Sequence, residues 1–149
     1  MDKKLNVLLV SSPYYKLISK NLIKGASEVL NNKSVNFDVL YVPGALEIPP
    51  AIKFVSSSIN KSNFFDGYIA LGCVIRGETY HFEIVANESA RSLSNLSVLS
   101  LLPIGNGILT VENMEQAIYR SDPKKLNKGA GAALACLSLI EIKNKLWVE

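Results

Sequence analysis

The sequence predicts an α/β protein, a three-layer α/β/α sandwich on a four-stranded parallel sheet. Three observations lead there. Four short, β-rich and almost wholly apolar runs recur along the chain. They recur at intervals of about 30 residues, the length of one βα unit. The stretches between them carry apolar residues at helical spacing. Strands that are apolar on both faces need helices on both faces, and right-handed crossovers then make the sheet doubly wound, in the flavodoxin-like manner.

The first strand is read in Leu5 to Val10 (LNVLLV). Pro13 precedes a helical stripe of Leu17, Ile18, Asn21, Leu22, Gly25 and Leu30. Val35 to Val42 forms the second strand. Ile48, Ile52, Val55 and Ile59 form the next stripe, with Pro49 and Pro50 tolerated in its first turn. Gly67 to Val74 is the third strand, followed by a stripe of Phe82, Val85, Ala86, Leu93 and Leu96. The apolar run Val98 to Ile104 is expected to be the fourth strand. Gly105, Asn106 and Gly107 are then a loop, and Thr110 caps a short helix starting near Val111. The last helix is expected from about Lys128 to Lys145, opening on the small-residue run Gly129 to Cys136. That run suits either tight packing on the sheet or contact with another subunit.

Composition sets outer bounds. The 149 residues suit one domain, 1–149, with no linker or composition break. A 48% hydrophobic content provides a core and leaves material for a subunit interface. The net charge of +3, without a basic block, argues against nucleic acid. Leu5 to Val10 is too short to span a membrane, so a cytoplasmic protein with no membrane partner is expected. Cys73 and Cys136 form no ligand pattern, and with a single histidine a zinc site lacks ligands. No metal is expected.

Ligands of open parallel sheets bind beyond the carboxyl ends of the strands. After the first strand, Tyr14 and Tyr15 offer rings that can stack on a planar heterocycle. After the second, Pro43-Gly44-Ala45-Leu46-Glu47 makes a tight turn, with Ala45 leaving room and Glu47 able to accept from hydroxyls. The third strand leads into Cys73-Val-Ile-Arg-Gly-Glu-Thr-Tyr-His81. Gly77 is expected to allow a sharp turn, and the N–H groups of the new helix form an anion site to which Thr79 adds a hydroxyl. Glu78 fits there only through its backbone N–H. Arg76 is either a ligand or, more commonly, half of an ion pair. His81 stands where an imidazole can take a proton and return it. Asn106 offers a donor and an acceptor. Arg120 either neutralises a helix end or grips phosphate. No P-loop, nucleophile elbow or Gly-x-Gly-x-x-Gly follows the first strand.

Four stretches together, Tyr41–Pro49, Leu71–His81, Gly107–Ala117 and Asn127–Gly129, resemble the lumazine synthase family in order and spacing, across nearly the whole chain. The resemblance implies condensation of 5-amino-6-(D-ribitylamino)uracil with 3,4-dihydroxy-2-butanone 4-phosphate, without metal or cofactor. It implies that Tyr14 stacks on the pyrimidine, and that Ala45, Leu46 and Glu47 hold the ribityl chain and ring edge. Cys73, Val74 and Ile75 would line the pyrimidine site, Glu78 and Thr79 the phosphate turn, and His81 would transfer protons. Asn106 and Arg120 would come from a neighbouring subunit of a pentamer or an assembly of pentamers, with Arg120 on the phosphate. Leu46 and Asn106 stand where some members carry an aromatic, and Cys73 where threonine is frequent. An archaeal-type riboflavin synthase and a non-catalytic lumazine- or flavin-binding shell protein are the alternatives.

Overall fold

The computed structural model describes residues 3–147. Met1, Asp2, Val148 and Glu149, the ends of the expected 1–149 domain, lie outside the described residues. Four strands, β1 (Asn6–Ser11), β2 (Asn36–Tyr41), β3 (Gly67–Ile75) and β4 (Ile104–Val111), form one sheet in the order β2-β1-β3-β4, with every pairing parallel. The helices are α1 (Lys16–Asn32), α2 (Ile48–Ser56), α3 (His81–Ser100), α4 (Met114–Ser121) and α5 (Lys128–Leu146). A 3-10 turn, Ala45–Glu47, leads into α2, and a second spans Lys61–Asn63.

The alternation of strand side chains divides the core in two. Val7, Leu9, Ile69, Leu71, Leu109 and Val111 face α1, α4 and α5, where Leu22, Ala117, Ala133 and Cys136 meet them. Leu8, Val10, Tyr68, Ala70 and Ile104 face α2 and α3, against Ile48, Ile52 and Leu93. This is the doubly wound three-layer sandwich that the apolar strands predict.

Pro49 and Pro50 fall in the first turn of α2, where no intrahelical bond is lost. Asn127 caps α5 in the left-handed conformation, at φ 49°, and its side chain accepts from the Ala130 N–H at 3.4 Å. Such a cap stabilises by about 1 kcal/mol.

The fourth strand is displaced from its expected position. Val98, Leu99 and Ser100 belong to α3, and β4 begins at Ile104. The helix stops without glycine: Leu101 takes the left-handed C-cap at φ 55°. Gly105, Asn106 and Gly107 are strand residues rather than a loop, and Thr110 is in β4 rather than a cap. Asn113 caps α4 instead, accepting from the Gln116 N–H at 2.9 Å. Close packing explains Gly105: a Cβ there would stand 1.9 Å from the carbonyl oxygen of Ala132 on α5. The small-residue run therefore serves packing within the chain. Ala132, Ala133 and Cys136 are buried against the sheet, and Gly129 meets the Leu22 carbonyl on α1.

Candidate active site

All four strands run parallel, so their carboxyl ends share one edge of the sheet. The ladder continues past the strands there. Ser12 N–H donates to Leu71 O at 3.0 Å, Val42 N–H to Ser11 O at 2.9 Å, and Arg76 N–H to Val111 O at 2.9 Å. These bonds fix where the loops after β1, β2 and β3 depart.

Between those loops lies a cleft of about 460 Å³, a size typical of small-molecule sites. Its lining includes Tyr14, Ala45, Leu46, Glu47, Cys73, Val74, Ile75, Thr79 and His81. Residues from three strand ends thus converge as the sequence predicts. Two broader depressions, of about 600 and 680 Å³, lie elsewhere, one beside Lys33 and α5 and one beside Asn60 and Phe64. Neither contains the histidine or a strand carboxyl end, so size does not decide the site.

One wall of the cleft is built on the core. Cys73, Val74 and Ile75 are half-buried at the end of β3, Ala45 is buried, and Ile48 beneath the 3-10 turn is fully buried. Burial pushes the Cys73 thiol up to about 11, so at neutral pH it is an apolar thiol rather than a nucleophile. The Tyr15 hydroxyl is raised too, by burial first and then by Cys73 and Tyr14. The Tyr14 and Tyr15 rings meet edge to face at 5.0 Å, leaving Tyr14 74% exposed at the rim. Glu47 is exposed, and its N–H donates to Gly44 O at 3.1 Å.

The opposite wall is the turn into α3. Residues 76–81 are all exposed. The N–H groups of Gly77, Glu78, Thr79 and Tyr80 find no acceptor among the described residues, while His81 N–H reaches Thr79 Oγ1 at 3.4 Å. These four donors belong to the loop and N-cap that precede α3, and successive unpaired backbone N–H groups in a turn suit an anion. Gly77 has no positive φ, so the turn does not need its backbone freedom. A Cβ there would meet nothing within 4 Å, so what glycine leaves is room beside those donors.

Three expected residues do not line the cleft. Glu78 is exposed outside it. Asn106 sits within edge strand β4 opposite Ala70, its Oδ1 accepting from Ile108 N–H at 2.9 Å. Arg120 lies in the last turn of α4, half-buried, with Nη1 donating to Gln116 O at 3.4 Å. Arg76 is an ion-pair residue: Nε donates to Glu112 Oε2 at 2.6 Å and Nη1 to Glu83 Oε1.

Tyr15 lines the cleft beside Tyr14, and Ser12, Phe82 and Val85, to which the sequence assigns no site role, line it too. In the sequence Phe82 and Val85 belong to a helical apolar stripe. Val85, four residues after His81, shares its side of the helix, which is the available signal; Phe82, one residue after it, carries no such signal.

The model of the 6,7-dimethyl-8-ribityllumazine synthase family matches residues 4–144. The chain belongs to this family. A 6,7-dimethyl-8-ribityllumazine synthase of Bartonella tribocorum is 54% identical over 145 residues, covering 97% of this chain and 94% of the relative. The Agrobacterium fabrum synthase is 49% identical, covering 96% and 97%. A 6,7-dimethyl-8-ribityllumazine synthase 1 of Rhizobium meliloti is 46% identical, covering 99% and 97%. Membership makes the chain a transferase of this family and does not favour the riboflavin synthase or shell-protein alternatives. Among the described residues no helix is long and apolar enough to cross a membrane.

Proposed function

We propose that this cleft condenses 5-amino-6-(D-ribitylamino)uracil with 3,4-dihydroxy-2-butanone 4-phosphate, giving 6,7-dimethyl-8-ribityllumazine and releasing phosphate and water, the penultimate step of riboflavin biosynthesis. The observation that carries the reading is the convergence of Tyr14, Ala45, Leu46, Glu47, Cys73 to Ile75, Thr79 and His81 on one cleft.

The chemistry follows from the two walls. The pyrimidine lies against Cys73, Val74 and Ile75 with its face to Tyr14, and Glu47 accepts from the ribityl hydroxyls. The keto-phosphate enters with its phosphate on the free N–H groups of the turn after Gly77, with Thr79 adding its hydroxyl. Glu78 contributes its backbone N–H, and its carboxylate stays in solvent. The pyrimidine's primary amine attacks the ketone and water leaves, forming an imine. Phosphate then leaves by elimination, the enol tautomerises to a carbonyl, and the ribitylamino nitrogen closes the ring with loss of a second water. Each step moves protons, and His81 at the cleft edge gives and takes them. Holding two substrates in register supplies much of the rate.

Arg120 and Asn106 complete the site from a neighbouring copy, in a cytoplasmic pentamer or an assembly of pentamers. Arg120 binds the departing phosphate in the fork geometry that suits guanidinium. Mixing the two substrates with purified protein and following lumazine fluorescence above the uncatalysed rate tests the reaction. Accumulation of lumazine supports it, and consumption of lumazine would identify a riboflavin synthase instead. Reassembly of His81→Ala with Arg120→Ala tests the shared site: mixed oligomers regain activity, whereas a site within one chain gives none.

A further inference from the structure

Arg76 sits between Ile75 and Gly77, which both line the cleft, yet its own side chain does not. Its guanidinium instead gathers three partners. Nε donates to Glu112 Oε2 at 2.6 Å, Nη1 donates to Glu83 Oε1, and the group lies 4.4 Å from the centre of the Phe82 ring. Phe82 and Glu83 directly follow His81 in the first turn of α3, and Glu112 directly follows β4. We propose that Arg76 is a positioning residue, fixing the first turn of α3 and hence the His81 imidazole against the ends of β3 and β4. The inference rests on the reading of His81 as the proton-transfer group.

The start of α3 has few other ties. Its N-cap residue, Tyr80, supplies no side-chain hydrogen bond. The four residues before His81 donate no backbone hydrogen bond within the described chain, and the first buried residue of the helix is Val85. Among the described residues, Glu83 N–H and Ile84 N–H, both reaching Tyr80 O, and His81 N–H, reaching Thr79, are the bonds that close the turn. Arg76, by contrast, is anchored from both sides, since its own N–H donates to Val111 O at 2.9 Å. A planar guanidinium can serve two carboxylates and lie over a ring at once, which a lysine ammonium cannot do. The cluster is exposed, with side chains 41% and 57% accessible at Arg76 and Glu112, and exposed ion pairs contribute little to global stability. Its effect is local, on the turn that carries the histidine.

The test is steady-state kinetics and thermal unfolding of Arg76→Met and Arg76→Lys in the full chain, with Arg76→Met also placed in a His81→Ala background. Arg76→Met lowers kcat about 10-fold, as a small misplacement of a reacting group does. KM for both substrates stays within about 2-fold of wild type, and the unfolding temperature is nearly unchanged. Arg76→Lys recovers part of the loss. In His81→Ala, Arg76→Met has no further effect. Glu112→Gln removes one carboxylate and gives a smaller loss of kcat, which keeps the idea testable if Arg76→Met does not fold. A wild-type kcat in both Arg76→Met and Glu112→Gln overturns the proposal, as does a rise confined to the KM of the keto-phosphate, which would make Arg76 a ligand. A slow His81→Ala enzyme that Arg76→Met slows again by the same factor overturns Arg76 alone. Wild-type activity in His81→Ala overturns the histidine assignment, and the role of Arg76 with it.

Discussion

The two walls of the cleft are built by different physics. The wall of Cys73, Val74 and Ile75 is the end of a sheet covered on both faces, joined by Ala45 of the 3-10 turn and held by ladder hydrogen bonds and by Ile48 and Leu71, both fully buried. The wall from Gly77 to His81 is exposed and leaves four backbone donors free, and the Arg76 guanidinium beside it ties Glu83 of the following helical turn to Glu112. A rigid surface suits a flat heterocycle. A turn with unpaired donors suits a phosphate that must be gripped and then released. The difference teaches that substitutions in one wall should change stability first, and substitutions in the other should change kinetics first.

The largest effect that would break this comparison is in the sheet. Leu71→Ala opens a cavity beneath the strand-end wall and should cost about 2–5 kcal/mol in denaturant unfolding. Arg120→Ala should leave unfolding unchanged and raise KM for the keto-phosphate by about 10- to 100-fold, the loss of a charge-assisted hydrogen bond. An Arg120→Ala enzyme with unchanged KM would remove that residue from the site.

Alkaline titration sharpens the contrast further. The Cys73 thiol is raised by burial from 9.0 to about 11, so folding favours its protonated form. The stability this gives is complete below pH 9 and is lost as pH rises through about 11. Unfolding measured across that window should fall less steeply in Cys73→Ala than in wild type. Equal slopes would mean that the strand-end wall admits water. Glu78→Gln is the smallest change: an exposed carboxylate outside the cleft should alter kcat/KM by less than about 2-fold, and a large loss would give its side chain a role.

Much of this was legible in the sequence, for a physical reason. Strands apolar on both faces announce a covered parallel sheet, and such a sheet puts its loops at one edge. The residues after β1, β2 and β3 can therefore be grouped from the sequence alone. The region around β4 was not legible because local and tertiary signals conflict there. Val98 to Ile104 is apolar and β-rich, yet Val98 to Ser100 continue α3, and Leu101 ends the helix in a left-handed turn that glycine usually supplies. Gly105 and Gly107 resemble a loop but are strand residues under α5. The clasp at Arg76 was only half legible: an ion pair could be anticipated, but its partners, seven and thirty-six residues away, could not.

The most direct test of the central claim is the turnover of His81→Ala with both substrates saturating. The account predicts a folded protein whose kcat falls about 10²-fold, the lower range for loss of a general acid–base, with both KM values close to wild type. Wild-type turnover in that variant would contradict it and place the proton transfers on another group or on the substrates themselves.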